Sequence, residues 1–189
     1  KQLGVRLATN QFDTDVLFRV NGSTVKYDTP PRGFDRSGSV IWNYRPSGEV
    51  KVFGIGQNTN LKSVLEDPSY VGAYAFDVRT QLGVVNWHDV FGMWSPTVRI
   101  SDSRMLRTQD YGAFRMRTGQ RYRGASGQLD WSPTGGVTLR GGGELERNWS
   151  EFDGSVPDDA YDQKPGARTT VVSSDHAGDR FGLFGEADF

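Results

Sequence analysis

The sequence predicts an all-β fold, the wall of an antiparallel, up-and-down transmembrane β-barrel, and three observations predict it. Apolar residues recur with period two, which is the spacing of a strand with two unlike faces. One hairpin pattern is used repeatedly, and tight turns alternate with longer polar stretches. The pattern is most complete in LDWSPTGGVTLRGGGELERNW, Leu129 to Trp149. There Val137, Leu139, Gly141, Gly143, Leu145 and Trp149 share one face, interrupted by Arg147, while Thr138, Arg140, Gly142, Glu144, Glu146 and Asn148 share the other. Across Ser132-Pro133-Thr134-Gly135-Gly136, Leu129 and Trp131 continue the apolar face, and Gln128 and Asp130 the polar one. Proline presets φ in that connection and glycine supplies the unusual φ of a tight turn.

The same hairpin occurs earlier as IWNYRPSGEVKVFGIGQ, Ile41 to Gln57, in which Tyr44, Pro46, Gly48, Val50 and Val52 match Trp131, Pro133, Gly135, Val137 and Leu139 without gaps. A shorter copy, MWSPTVRI, Met93 to Ile100, predicts a third turn of the same kind. An aromatic residue before a tight turn, on the apolar face, is where a membrane barrel carries its interfacial girdle. The girdle candidates are Trp42, Tyr44, Trp94 and Trp131.

NYRPSGEVKVFGIGQ, DWSPTGGVTLRGGGELERNWSEF and the closing DRFGLFGEADF resemble the β-barrel of TonB-dependent outer-membrane receptors, and the looser likeness covers nearly the whole chain. That resemblance implies outer-membrane transport in a Gram-negative bacterium: active import of a scarce nutrient, such as a siderophore complex. It also implies an energy-transducing TonB-type partner acting through a plug domain. Neither a plug-like domain nor a TonB-box-like segment is found here, and members of that family are several times longer. The expectation is therefore a barrel segment over residues 1–189, in the bacterial outer membrane, contacting outer-membrane lipid and a small-molecule ligand, with no catalysis.

Composition agrees with these bounds. Among 189 residues are 24 glycines, 12% aromatics and 35% hydrophobics, rich in turn and strand formers and poor in aliphatic core. The mean hydropathy of -0.58 is compatible with a barrel, because lumen-facing positions and extracellular segments dilute the lipid-facing half of each strand. No run approaches the roughly 18 apolar residues of a transmembrane helix. A net charge of -1 gives no electrostatic reason to expect nucleic acid. Cysteine is absent, which excludes disulfides and thiolate metal sites. The chain starts Lys1-Gln2 without a signal region, as expected of a processed product or a segment.

In chain order, Leu3, Val5 and Leu7 predict a first strand and Val16, Phe18 and Val20 a second. Pro30-Pro31 predicts loop, since proline cannot donate to a ladder. Phe53 and Ile55 break the alternation after Val52, which predicts a bulge or two partly apolar faces. Tyr74, Phe76, Val78, Leu82 and Val84 alternate cleanly, but Val85, Trp87 and Phe91 fall on the other parity, which predicts a register switch near Val84-Val85. Phe114 and Met116 alternate with Arg115 and Arg117; Phe181, Leu183, Ala187 and Phe189 close the chain on one face. Long loops are expected near 23–36, 58–71, 101–112 and 151–178. The count is about nine strands, with every second connection short, as in outer-membrane barrels.

Arg115, Arg117, Arg121 and Arg123 share one parity and are the candidate lumen- or ligand-facing residues, able to steer an anionic ligand such as a ferric siderophore. Their plainer role is pairing with acids on neighbouring strands such as Glu144 and Glu146. Asp153, Asp158, Asp159 and Asp162 supply oxygen ligands at calcium-like density but fit no EF-hand, so a solvated acidic loop is expected. His88 and His176 lack HExxH spacing, no G-x-S-x-G elbow occurs, and the lone Gly54-Ile55-Gly56 precedes no helix. No catalytic, cofactor or metal residue is therefore assigned. Two alternatives to the importer stand beside it: a passive porin-like or small complete barrel ending at Phe189, and a soluble extracellular β-sandwich binding module.

Overall fold

The computed structural model describes residues 1–13, 27–67, 70–134 and 136–188. They form one open antiparallel sheet whose eight strands follow one another in chain order: β1 Gln2–Asp13, β2 Tyr27–Arg45, β3 Gly48–Asp67, β4 Tyr70–His88, β5 Trp94–Tyr111, β6 Phe114–Thr134, β7 Val137–Pro157 and β8 Thr169–Asp188. β1 and β8 are its two edges. A single meander is a piece of barrel wall; the sandwich alternative needs two sheets packed face to face. The expected strand through Val16, Phe18 and Val20 lies outside the described residues, as do Gly135 and Phe189, and the remaining count is eight.

The strands are longer than the sequence pattern suggests. Seven of them run 18 to 21 residues, about twice the 9–11 residues that a tilted strand needs to cross a bilayer. The expected long loops at 58–71, 101–112 and 151–178 are therefore corrected. Strand structure continues to Asp67, Tyr111 and Pro157, and β8 already starts at Thr169. Likewise β2 already begins at Tyr27 and includes Pro30-Pro31, where its pairing to β3 is irregular; pairs with β1 run from Asp13↔Arg32 onward. Proline is tolerated where a ladder is frayed. Hydrophobic alternation fades in these extensions while the backbone ladder carries on, since hydrogen bonding does not require an apolar face.

The third predicted hairpin is also corrected. Pro96 lies inside β5, opposite Leu129 and just past the end of the β4 ladder, whose last pair is His88↔Thr97. The turn sits earlier, closed by the Phe91↔Trp94 bridge, with Gly92 at φ +61°. Only glycine takes that left-handed conformation without cost.

No register switch occurs at Val84-Val85, since β4 pairs without interruption to both neighbours. Phe53 and Ile55 likewise sit in an unbroken ladder, so that strand has two partly apolar faces and no bulge there. At the end of the sheet away from Pro46, the segment 158–168 folds back on the β5–β6 turn, where the Ala113 N–H donates to the Gln163 carbonyl at 2.9 Å. Gly112, at φ +59°, lies directly beneath that carbonyl. Gly112→Ala is expected to cost roughly 1–2 kcal/mol from the left-handed backbone alone and to lift the segment off the turn. Limited trypsin digestion should then cut after Arg168 faster than in the parent chain.

Candidate functional site

The register sorts the side chains of all eight strands onto two faces. One face carries continuous apolar rows: Leu3, Trp42, Val50, Trp87, Val98, Gly127, Gly143 and Leu183 lie side by side, and beside them Val5, Val40, Val52, Val85, Ile100, Ala125, Leu145 and Phe181. These residues are largely exposed; Leu183 is 74% accessible and Leu145 59%. Opposite the band, the second face is polar: Lys51, Asn86, Arg99, Ser126 and Glu144 occupy the neighbouring positions.

Further from the Pro46 end the two faces exchange character. On the band face the next row reads Gly83, Asp102, Arg123, Arg147 and Asp179, followed by Gln81, Arg104, Arg121, Trp149 and Ala177. On the other face Leu82, Val78, Phe76 and Tyr74 appear in β4, Met105 and Tyr111 in β5, and Met116 and Phe114 in β6. The parity change read from the sequence near Val84-Val85 is this exchange: the pattern switches faces while the ladder does not slip.

At the Pro46 end, two aromatic groups flank the band. Trp94 and Trp131 stack with centroids 5.6 Å apart, and Trp42 and Tyr44 meet at 5.6 Å. Trp87 joins the second group, its indole N–H donating to the Tyr44 hydroxyl at 2.8 Å. All four predicted aromatics thus lie at one end of the band. Beneath them Asp89, 1% exposed, ties the β4–β5 turn to the β2–β3 turn. Its Oδ1 accepts from Arg45 Nε at 2.8 Å, Ser47 Oγ at 3.2 Å and the Val90 N–H at 2.7 Å, and its Oδ2 accepts from the Tyr44 hydroxyl. The Arg45 guanidinium also lies 4.2 Å from the centroid of the Phe91 ring.

Burial opposes ionisation of Asp89, yet hydrogen bonds from Arg45, Tyr44 and the Val90 N–H outweigh it and hold the carboxyl down to about 2. A group depressed in the folded state stabilises above its unfolded value, and that contribution is lost as pH falls through the folded one. The Asp89 contribution should therefore be whole above about pH 4 and decline toward pH 2. Asp89→Asn is expected to flatten the unfolding-temperature profile over that interval, and Asp89→Ala to lower the unfolding temperature at neutral pH by roughly 5 °C. Identical acid profiles for the parent chain and Asp89→Asn would count against this role.

Of the predicted ligand-facing residues, Arg115, Arg117, Arg121 and Arg123 all lie on the band face, beyond the band. Their expected partners Glu144 and Glu146 are on the opposite face, so the pairing differs. Arg121 and Arg123 reach Asp102 at 2.8 and 2.9 Å, with Arg104 on the same carboxylate at 3.7 Å. Glu144 and Glu146 meet Arg180 at 3.2 and 2.8 Å, and Glu146 also accepts from the Tyr122 hydroxyl at 2.5 Å. In the acidic loop, Asp158 pairs with Arg168 at 3.1 Å.

An aromatic cluster that sequence reasoning did not single out stands on the non-band face near the far end. Tyr74 stacks on Phe76 at 6.4 Å and meets Tyr111 at 6.5 Å; Tyr111 contacts Tyr70 at 5.4 Å. The Arg107 guanidinium lies 5.2 Å from the centroid of the Phe76 ring, and Gln109 donates to the Tyr74 hydroxyl at 3.2 Å. The alternation of Phe114 and Met116 against arginines was the available signal. It showed apolar residues facing away from the charges, but not which face they shared with Tyr74.

No family model matches the sequence, and no curated protein matches it. Solved structures do match the fold. The ferric-catecholate import receptor Fiu from E. coli K12 in its open form superposes with a TM-score of 0.62 at 9% identity, covering 98% of this chain and 41% of that one. Its closed form gives 0.60 at 10% identity over 98% and 38% of the two chains. The ferric yersiniabactin uptake receptor FyuA from Yersinia pestis gives 0.59 at 9% identity over 83% and 25%. The chain thus has the fold of part of an outer-membrane receptor barrel and spans less than half the length of these neighbours.

Proposed function

We propose that this chain is wall of an outer-membrane transport barrel of the TonB-dependent importer type, and the observation that carries the reading is the exchange of polarity between faces. A strand leaving a bilayer meets hydrocarbon on its outer face first and water after it. The outer face should therefore turn from apolar to charged at one level, as it does between Ile100 and Asp102, Ala125 and Arg123, and Leu145 and Arg147. From Trp131 to Arg121 along β6 is ten residues. At about 3.3 Å per residue and a tilt of about 40°, that is about 25 Å, the height of an apolar barrel band.

In this reading the band face looks outward to outer-membrane lipid, and Trp42, Tyr44, Trp87, Trp94 and Trp131 form the girdle at the tight-turn side. The strands rise past the opposite interface. Arg115, Arg117, Arg121 and Arg123 then occupy the outer surface, and the ligand-facing role passes to the aromatic cluster with Arg107 on the inner face. An aromatic wall carrying a guanidinium suits an anionic, ring-bearing cargo such as a ferric siderophore complex. A plug domain and a TonB-type partner would supply gating and energy.

Two experiments separate the parts of this reading. Val98→Arg should impair folding into detergent or bilayers by about 2–4 kcal/mol, the cost of a cation near the midplane, whereas Gln128→Arg on the other face should be tolerated; equal effects would contradict the membrane orientation. Replacing Tyr74 and Tyr111 by Ala should weaken binding of a ferric catecholate by at least about tenfold, the scale of losing aromatic contacts, with insertion unchanged. Unaltered binding would remove the cargo assignment and leave the barrel standing.

A further inference from the structure

We infer that the outward face carries a binding site for a phosphate-bearing lipid, where the apolar band meets the arginines of β5 to β7; the inference rests on the membrane reading above. A groove of about 590 Å³ lies on that face. Its lower half is apolar, lined by Ile100, Ala125, Leu145 and Phe181, and its upper half carries Arg123 and Arg147 beside Asp102 and Asp179. The hollow follows from the sequence, because small Ala125 stands in the same row between the larger Ile100 and Leu145. One end suits acyl chain and the other suits a headgroup.

Charge selects the headgroup. Arg104, Arg121 and Arg123 converge on the single carboxylate of Asp102 at 3.7, 2.8 and 2.9 Å, and Arg147 reaches Asp179 at 3.4 Å. Four guanidiniums thus face two carboxylates. Each guanidinium has five N–H donors, more than these two acids can accept, and a phosphate offers several oxygens in a geometry that guanidinium matches bidentately. On the opposite face each arginine of β7 and β8 is held between two acids, Arg180 between Glu144 and Glu146 and Arg140 between Asp130 and Glu186. An anionic amphiphile therefore has reason to settle on one face alone.

Trp149 fixes the level of the site. The Arg147 and Arg123 guanidiniums lie 4.7 and 5.6 Å from its ring centroid. Tryptophan holds the headgroup level of a membrane, and its ring keeps both cations beside the upper edge of the groove. A zwitterionic lipid would bring its own ammonium into this surplus of positive charge. Inorganic phosphate alone would leave the apolar half unused.

The test is native mass spectrometry of the full chain folded in neutral detergent micelles, offered equal amounts of short-chain phosphatidic acid and of phosphatidylcholine with the same chains. The expected result is at least tenfold greater retention of phosphatidic acid, reduced to the phosphatidylcholine level by Arg123→Gln with Arg147→Gln and unaffected by Arg99→Gln on the other face. Should the double variant not fold, Arg147→Gln alone carries the test, with at least a threefold loss expected. Equal retention of the two lipids overturns the site, as does displacement by inorganic phosphate at matched concentration. A chain that folds in buffer and ignores micelles overturns the membrane reading as well, which distinguishes the two failures.

Discussion

Everything in this structure depends on an unslipped backbone ladder. Side chains in a strand alternate with period two, so a shift of one residue in any pairing would move a whole apolar set to the other face. From β3 to the Trp131↔Leu139 pair of β6 and β7, the pairs run without a bulge through the band. The rows of Val, Leu, Ile, Gly and Ala can therefore stay on one side of a sheet that has almost no interior. Val84 is the single buried hydrophobic residue among those described. A soluble protein with so little core would have poor means of offsetting its chain entropy. A barrel wall buries its apolar face in lipid.

The ladder also permits what a hydrophobic core would forbid. With register held by backbone hydrogen bonds, each face is free to change chemistry along its length; the band face changes at nearly one level in β4 through β8, and the other face in β4 through β6. Below it, the band face is apolar and the other face carries Lys51, Asn86, Arg99 and Glu144. Above it, Asp102, Arg121 and Arg123 take the band face, and Tyr74, Phe76 and Tyr111 the other. The turn end is tied by a different device, a buried carboxylate shared by two hairpin turns through Arg45, Tyr44 and Ser47. It sits where the sheet ends and the ladder can no longer hold neighbouring hairpins together.

How much was legible in the sequence follows from the same physics. The faces of β7, β8 and the lower part of β6 were legible because glycine, leucine and tryptophan alternate there with charges. The strand extensions were not, since the stretches 58–67, 101–111 and 169–178 hold no sustained apolar period of their own, and Ser101-Asp102-Ser103 looks like loop. Pro96 misled for a local reason: proline at a frayed ladder end resembles proline in a turn, and Gly92 did the turning. The four arginines share a parity in the sequence and a face in the register. Which face they take was not legible, because β6 alone does not say that Arg123 shares a side with Ala125's apolar neighbours Ile100 and Leu145. The aromatic cluster needed the pairing Tyr74↔Tyr111, a contact that no local pattern encodes.

The absence of native cysteine allows the central claim to be measured directly. Single cysteines placed at successive positions of β6, from Arg121 to Trp131, would carry a fluorophore in chains folded into bilayers containing brominated lipid. The account predicts period-two quenching from Ala125 to Trp131, strong at the odd positions and weak at the even ones, fading to none by Arg121. Uniform quenching, or none at any position, would contradict it.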